Sequence, residues 1–387
     1  MRRIGKWLGR ILLVLCLALI ATGLWKREEI KRLMAVNSLF APDRIVQNFS
    51  NMDAAFLHVP VPKGDAPPSD LPRGTPATMP ATLDSFVRDR HVTSLLVLRD
   101  GAVVFEEYYL GTGPNDLRIG WSLSKSFLSA LTGILHHDGT LPDLDAQVTD
   151  WVPLLKGGAY DGATVRNVLH MATGVTFDED YKDRNSDINR MGRILALGGE
   201  MDSFAAGLQD RFAPPGSDWK YTSIDTHVLG MVLRAASGRS LPDLMSEKIV
   251  RPLRLERAPY YLTDGTSVAF ALGGINMTTR DYARFGQMYL QQGEWQGRQI
   301  VPADWIVTAT TATAPTDPDQ MGYGYQWWMP RDARPREYMG RGVYGQYLYI
   351  NEPAGVVIVL TAADPPFQDR AVQRENLELF RAIADTR

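Results

Sequence analysis

Ser122 and Lys125 stand three residues apart in Ser122-Leu123-Ser124-Lys125, where strand-like sequence gives way to a helical pattern. Residues three apart share a helix face, and the first turn of a helix presents unpaired N–H groups with partial positive charge. A serine hydroxyl placed there is a candidate nucleophile and the lysine its candidate base. For that role burial must lower the amine from its free pKa of about 10.4 by about three units, on the order of 4 kcal/mol. Taken alone the pair is weak, because Ser122 as a helix cap beside a solvated Lys125 explains the same letters. A second loop-to-helix junction carries Tyr221-Thr222-Ser223. Tyr221 can share a proton with a lysine and relay it to a leaving group, while Ser223 can hydrogen-bond both lysine and substrate. The plain alternative is a capping serine and a packing tyrosine.

These residues need elements to hold them. Thr82 reads as the cap of a short helix through Arg90, and Val92–Arg99 and Ala102–Leu110 are β-rich runs joined by Asp100-Gly101, a strong hairpin signal. From Ser122 to about Gly238 the period is helical: Phe127, Leu128, Leu131, Ile134 and Leu135 share a stripe that stops before Gly139, and a Val228–Leu233 stripe stops before Gly238. Strand-like runs return at Tyr323–Met329, Gln346–Asn351 and Gly355–Thr361, followed by a helix from about Gln368 to Asp385. Strands at both ends with helices between predict an α+β sandwich, an antiparallel sheet built from both chain ends and flanked by helices, with an inserted helical domain. The body is set at 81–387, its sheet part at about 81–120 and 275–387 and its helical part at about 121–274.

Competing chemistries fit less well. Gly120-Trp121-Ser122-Leu123-Ser124 lacks the second glycine of a nucleophile elbow and follows a hairpin. With six histidines, no His-Glu-x-x-His and one cysteine, Cys16, no metal site is expected, and no cofactor. The net charge of −3 conceals a split: residues 1–32 hold eight Lys and Arg against two acids, and the rest hold 33 against 42. An acidic body of that kind argues against nucleic acid as a partner.

The basic head, residues 1–10, precedes an uncharged run at 11–25, and counting from Trp7 to Trp25 gives 19 residues with an aromatic at each end. This pattern predicts an uncleaved membrane anchor, with a cleaved signal as the alternative. The membrane is then a partner, and the protein sits in a bacterial inner membrane with its catalytic body in the periplasm or outside the cell. Seven prolines between residues 60 and 80 make 26–80 a spacer packed over or beside the body.

Trp121–Phe127, Asp143–Asp145 with Val148–Pro153, Thr164–Val175 and Tyr221–Ser223, in this order, resemble the class C β-lactamase-related serine hydrolases. Within them the chain looks most like the 6-aminohexanoate-dimer (nylon-oligomer) hydrolases and related carboxylesterases, over about residues 80–380. The resemblance implies a β-lactamase and penicillin-binding-protein-like fold with its active site between the sheet and the helical domain. It makes Ser122 the acylated nucleophile, Lys125 its base partner and Tyr221 the general acid and base. The expected function is hydrolysis of an ester or linear amide through an acyl-enzyme, by an amidase or carboxylesterase. The alternatives are a β-lactamase or D-alanyl-D-alanine peptidase of the same fold, or an inactive envelope binding protein. The family's third motif, often Lys-Thr-Gly, is placed at Gly342-Val343-Tyr344-Gly345-Gln346-Tyr347, where no cation stands. Gln346 or Tyr347 is expected to give the second oxyanion N–H beside that of Ser122. Tyr181, Asp187 and Tyr344 are the candidates for substrate contact.

Overall fold

A computed structural model describes residues 2–386, without the side chains of residues 2–6, 8 and 9. In chain order its principal helices are α1 (Arg2–Trp25), α2 (Arg27–Asn37), α3 (Leu83–Asp89), α4 (Leu123–His137), α5 (Asp187–Leu197), α6 (Ser223–Ser237), α7 (Thr279–Leu290) and α8 (Arg370–Asp385). The strands that build its two larger sheets are β1 (His58–Pro60), β2 (Val92–Arg99), β3 (Ala102–Tyr108), β4 (Arg118–Ile119), β5 (Tyr260–Leu262) and β6 (Ile275–Met277). The series continues with β7 (Gly322–Tyr323), β8 (Trp328–Met329), β9 (Glu337–Gly342), β10 (Gln346–Asn351) and β11 (Val356–Ala362).

Seven strands form an antiparallel sheet in the order β3-β2-β11-β10-β9-β8-β7, so the two ends of the body meet where Val97 pairs with Ile358. Side chains alternate across the sheet, and both faces are apolar. Leu95, Val97, Ile358 and Leu360 pack with Leu83 and Phe86 of α3 and Leu379, Phe380 and Ile383 of α8. Leu96, Leu98, Val357 and Val359 face the larger core with α4 and α7. Asp100 and Gly101 close the first hairpin, both at positive φ (+49° and +81°), as a two-residue turn matched to strand twist requires.

Helix α4 is buried from Leu123 to Leu135, which makes it a central strut rather than a surface helix. Its stripe was legible; its other face is enclosed because Gly133 lets the Trp305 ring approach to where a Cβ would lie 2.3 Å from it. Gly139 follows the helix at φ +81°.

Three elements differ from expectation. Tyr323–Met329 is not one strand but two, turning at Gln326 with φ +63°. Strand β9 was not anticipated at all. The segment read as a spacer enters the body: β1 pairs with β5, Phe49, Met52 and Val61 are buried, and Ile119 N–H donates to the Phe49 carbonyl at 3.0 Å.

The membrane anchor is overturned. Among the described residues no helix is long and apolar enough to cross a membrane. Within α1 the uncharged stretch from Ile11 to Trp25 is 15 residues, about 22 Å of helix against a hydrocarbon core of about 30 Å. Arg10 lies inside the longer count from Trp7. With the anchor go the membrane partner and the inner-membrane, periplasmic placement that depended on it.

Candidate active site

Trp121 sits in the left-handed region at φ +46°, and this bend turns the chain from β4 into α4. Ser124 fixes it, donating to the Trp121 carbonyl at 2.7 Å and accepting from the Ile275 N–H at 3.0 Å. Ser122 is the residue at the helix entrance, and its side chain makes no capping hydrogen bond, so the hydroxyl is left for other chemistry. Lys125 comes round one turn later. Its Nζ lies 3.0 Å from Ser122 Oγ and donates at 2.7 Å to the carbonyl of Leu272, in the loop before β6.

Lys125 is 2% exposed. Burial pushes its amine down to about 7, with the Glu179 carboxylate pulling the other way. A buried ammonium loses water contacts that one carbonyl and one hydroxyl replace only in part, so the neutral amine is populated near neutral pH.

Tyr221 lies just before α6, facing the hydroxyls of Ser122 and Ser223, with its ring 5.3 Å from Lys125 Nζ. Burial first, and Glu179 second, hold its phenol well above the ordinary value, so it stays protonated. Ser223 does not cap α6: its Oγ is buried without a hydrogen-bond partner among the described residues. The cap is supplied instead by Glu179, which accepts from the Ser223 backbone N–H and, through its other oxygen, from the Tyr181 hydroxyl at 3.0 Å. Burial raises the Glu179 carboxyl while Lys125 and Ser223 oppose that rise.

The far wall of the site is β9. Its outer edge pairs with β8 only at Met339, and beyond that point it lies directly on the Gly120–Ser126 turn. A Cβ on Gly340 would stand 2.9 Å from Leu123 Cδ2, and one on Gly342 would stand 2.4 Å from the Gly120 carbonyl. Only glycines fit. An aromatic wall flanks the turn: Phe49 packs edge-on against both Trp121 and Tyr344 at 5.5 Å, and Phe40 stacks on Tyr344 at 5.0 Å. Phe367 follows at 4.8 Å from Tyr344 and meets Tyr181 at 6.0 Å.

Residues 81–382 match the family described as Beta-lactamase. The chain belongs to the beta-lactamase family. A curated relative, the 6-aminohexanoate-dimer hydrolase of Paenarthrobacter ureafaciens, is 28% identical over 330 residues, covering 82% of this chain and 81% of that protein. The beta-lactamase fold is shared with a solved Bacillus anthracis protein assigned as a 6-aminohexanoate-dimer hydrolase, at TM-score 0.77 and 23% identity over 89% of this chain and 95% of that one. It is also shared with EstCE1, a hydrolase with promiscuous acyltransferase activity, at TM-score 0.59 and 17% identity over 78% and 96%. This beta-lactamase family member thus lies in a hydrolase family, close to the 6-aminohexanoate-dimer hydrolases.

Of the residues singled out in sequence, Ser122, Lys125, Tyr221 and Ser223 converge, Tyr181 joins them through Glu179, and Tyr344 stands in the aromatic wall. The side chains of Gln346 and Tyr347 are engaged within the sheet domain. Both lie on β10, where Tyr347 pairs with Arg341 of β9 and Leu360 of β11 and Gln346 pairs with Gly342 of β9; the Gln346 side-chain amide donates to the carbonyls of Val343, Tyr344 and Ala362, and Tyr347 Oη accepts from Asn376 on α8. Asp187 opens α5, where it pairs with Arg190 at 2.9 Å and accepts from the Asp178 N–H. Glu179 escaped the sequence reading because it sits between Asp178 and Asp180 in a segment that reads as solvated.

Proposed function

We propose that this chain is a serine hydrolase that cleaves ester or linear amide bonds through an acyl-enzyme. Neutral Lys125 takes the Ser122 proton as Oγ attacks the carbonyl carbon. The oxyanion is held by the Ser122 backbone N–H and by a backbone N–H from the open edge of β9, which supplants Gln346 and Tyr347 as the place for the second donor. Collapse breaks the bond to the leaving group, which takes its proton from the Tyr221 hydroxyl, and Lys125 returns the proton to Tyr221. Water then attacks the acyl group on Ser122 with Lys125 and Tyr221 again moving the proton, which restores the serine.

The observation that carries this reading is the 3.0 Å contact between Lys125 Nζ and Ser122 Oγ with the amine at about 7. A depression of that size is what a lysine base needs near neutrality. The likeness to a 6-aminohexanoate-dimer hydrolase makes a linear amide the substrate to try first, with an activated ester beside it. The test is covalent labelling by a fluorophosphonate together with turnover of a p-nitrophenyl ester and of 6-aminohexanoate dimer. Labelling and turnover that vanish in Ser122→Ala support the reading; an unlabelled wild type that turns over neither substrate defeats it.

A further inference from the structure

Arg118 lies on β4, shortly before Ser122, and is 2% exposed. Each hydrogen-bond partner of its guanidinium is neutral. Nη1 donates to the Val46 carbonyl at 2.6 Å and to Ser50 Oγ at 2.9 Å, and Nη2 donates to Thr93 Oγ1 at 3.1 Å, while among the described residues Nε has no partner. Burial pushes the group down to about 10, with Asp116 opposing, so it keeps its charge at neutral pH. A buried cation without a bonded carboxylate is costly, and this one divides its donors between two separate parts of the chain. Thr93 belongs to the seven-stranded sheet, where its hydroxyl also meets that of Thr361 on β11 at 2.7 Å. Val46 and Ser50 belong to the segment before the body, outside the residues 81–382 that match the family.

The backbone beside Ser122 is held without that side chain. Arg118 and Ile119 pair with Met277 and Asn276 of β6, and the Gly120 N–H donates to the Ile275 carbonyl at 2.9 Å. What the guanidinium holds is the segment. Asn48, at the end of the short helix Ile45–Asn48, donates to the carbonyls of Ser38 and Leu39 at 2.9 and 3.0 Å, directly before Phe40. The Phe49 ring lies 5.9 Å from the guanidinium and packs on Trp121 and Tyr344, and Phe40 lies 6.1 Å from Trp121. A chain of contacts therefore runs from the sheet through Arg118 to both aromatic residues that the segment adds to the wall. Tyr221 packs elsewhere, with Trp328 and Tyr323. Since Tyr221 serves the leaving group in the proposed reaction, the wall of Phe40 and Phe49 is left for the acyl half. We propose that Arg118 is a positioning residue that clamps residues 38–50 to the body, so that Phe40 and Phe49 complete a surface for a long apolar acyl group. The assignment to the acyl half rests on the serine hydrolase reading; the clamp itself does not.

Two readouts separate the claims. In hydrogen exchange, Arg118→Met is expected to speed the amides of residues 45–52 by about tenfold and to leave those of Leu123–Leu135 unchanged. In turnover, Arg118→Met should raise KM for p-nitrophenyl octanoate about tenfold, with kcat for p-nitrophenyl acetate within about twofold. Adding Phe40→Ala to it should raise that KM by less than about twofold more, because both changes act through one surface. Arg118→Lys keeps the charge but cannot bridge all three partners, and should fall between. Asn48→Ala leaves Arg118 in place and cuts its link to Phe40, so it should show the same KM pattern at about threefold, and it carries the test if Arg118→Met does not fold. Unchanged exchange at residues 45–52, equal KM changes for the two esters, or a fully additive effect of Phe40→Ala overturns the proposal. Faster exchange in Arg118→Met beside a wild type with no Ser122-dependent turnover defeats the hydrolase reading alone.

Discussion

Glu179 accepts a hydrogen bond from the backbone N–H of Ser223, so the carboxylate that faces Lys125 is also the cap of helix α6. One acidic residue thus sets the position of the Tyr221-Ser223 junction and the charge balance of the base. The sign of its effect is fixed: a negative charge near an amine favours the ammonium, so Glu179 raises Lys125 against the larger depression by burial. Activity needs the amine, and kcat/KM is expected to rise with pH through about 7. In Glu179→Gln the neutral amide still accepts from Ser223 but no longer opposes deprotonation, so this limb moves to lower pH by roughly one unit. A pH profile of kcat/KM for a neutral ester checks it; an unmoved or raised limb contradicts the assignment of that limb to Lys125.

Tyr221 keeps its proton because burial and Glu179 hold the phenol above its ordinary range. In the proposed reaction it therefore acts as a donor to the leaving group rather than as the first base. Tyr221→Phe is expected to lower kcat by about 10²- to 10⁴-fold, and more for an amide than for a p-nitrophenyl ester, whose leaving group departs without a proton. Paired kinetics on the two substrates read the difference, and equal losses would assign Tyr221 to another step.

The glycines of β9 mark where the strand touches the Gly120–Ser126 turn. Gly342→Ala puts a Cβ 2.4 Å from the Gly120 carbonyl, a backbone atom with little room to yield. Overpacking of this kind costs about 1–3 kcal/mol. Urea unfolding should show that loss together with a fall in kcat, since relief of the clash pushes β9 away from Ser122. Unchanged stability and kcat would mean that the edge does not border the nucleophile.

The segment before residue 60 divides into support and surface. Phe49 is fully buried while Phe40 is 46% exposed, yet both touch Tyr344. Phe49→Ala is expected to cost about 3–5 kcal/mol in unfolding. Phe40→Ala should leave stability within about 0.5 kcal/mol while raising KM for p-nitrophenyl octanoate more than for the acetate. Equal KM changes for the two esters would remove Phe40 from the substrate path.

The candidate catalytic residues were the most legible in sequence, because their requirements are local. Ser122 and Lys125 need one helical turn, and Tyr221 and Ser223 need the start of another. The turns were legible for the same reason, as Asp100-Gly101, Gly139 and Gly238 each fill a left-handed position. The far wall was not. Gly340 and Gly342 weaken the strand signal of Glu337–Gly342, and they are glycines because Leu123 and Gly120 press on them from residues more than 200 positions earlier. Missing that strand left the edge that borders the Gly120–Ser126 turn out of the sequence reading. Glu179 was hidden by composition, since its role depends on meeting the N–H of Ser223, 44 residues later in the chain. The anchor was over-read for a simpler reason: Arg10 interrupts the apolar run.

The central claim is that Ser122 carries the acyl group. Intact-protein and peptide mass spectrometry, after rapid acid quench during turnover of p-nitrophenyl butyrate, tests it most directly. A butyryl adduct on the peptide containing Ser122, absent in Ser122→Ala and slow to form in Lys125→Ala, is the result predicted. Turnover with no adduct, or with an adduct on another residue, would contradict the account.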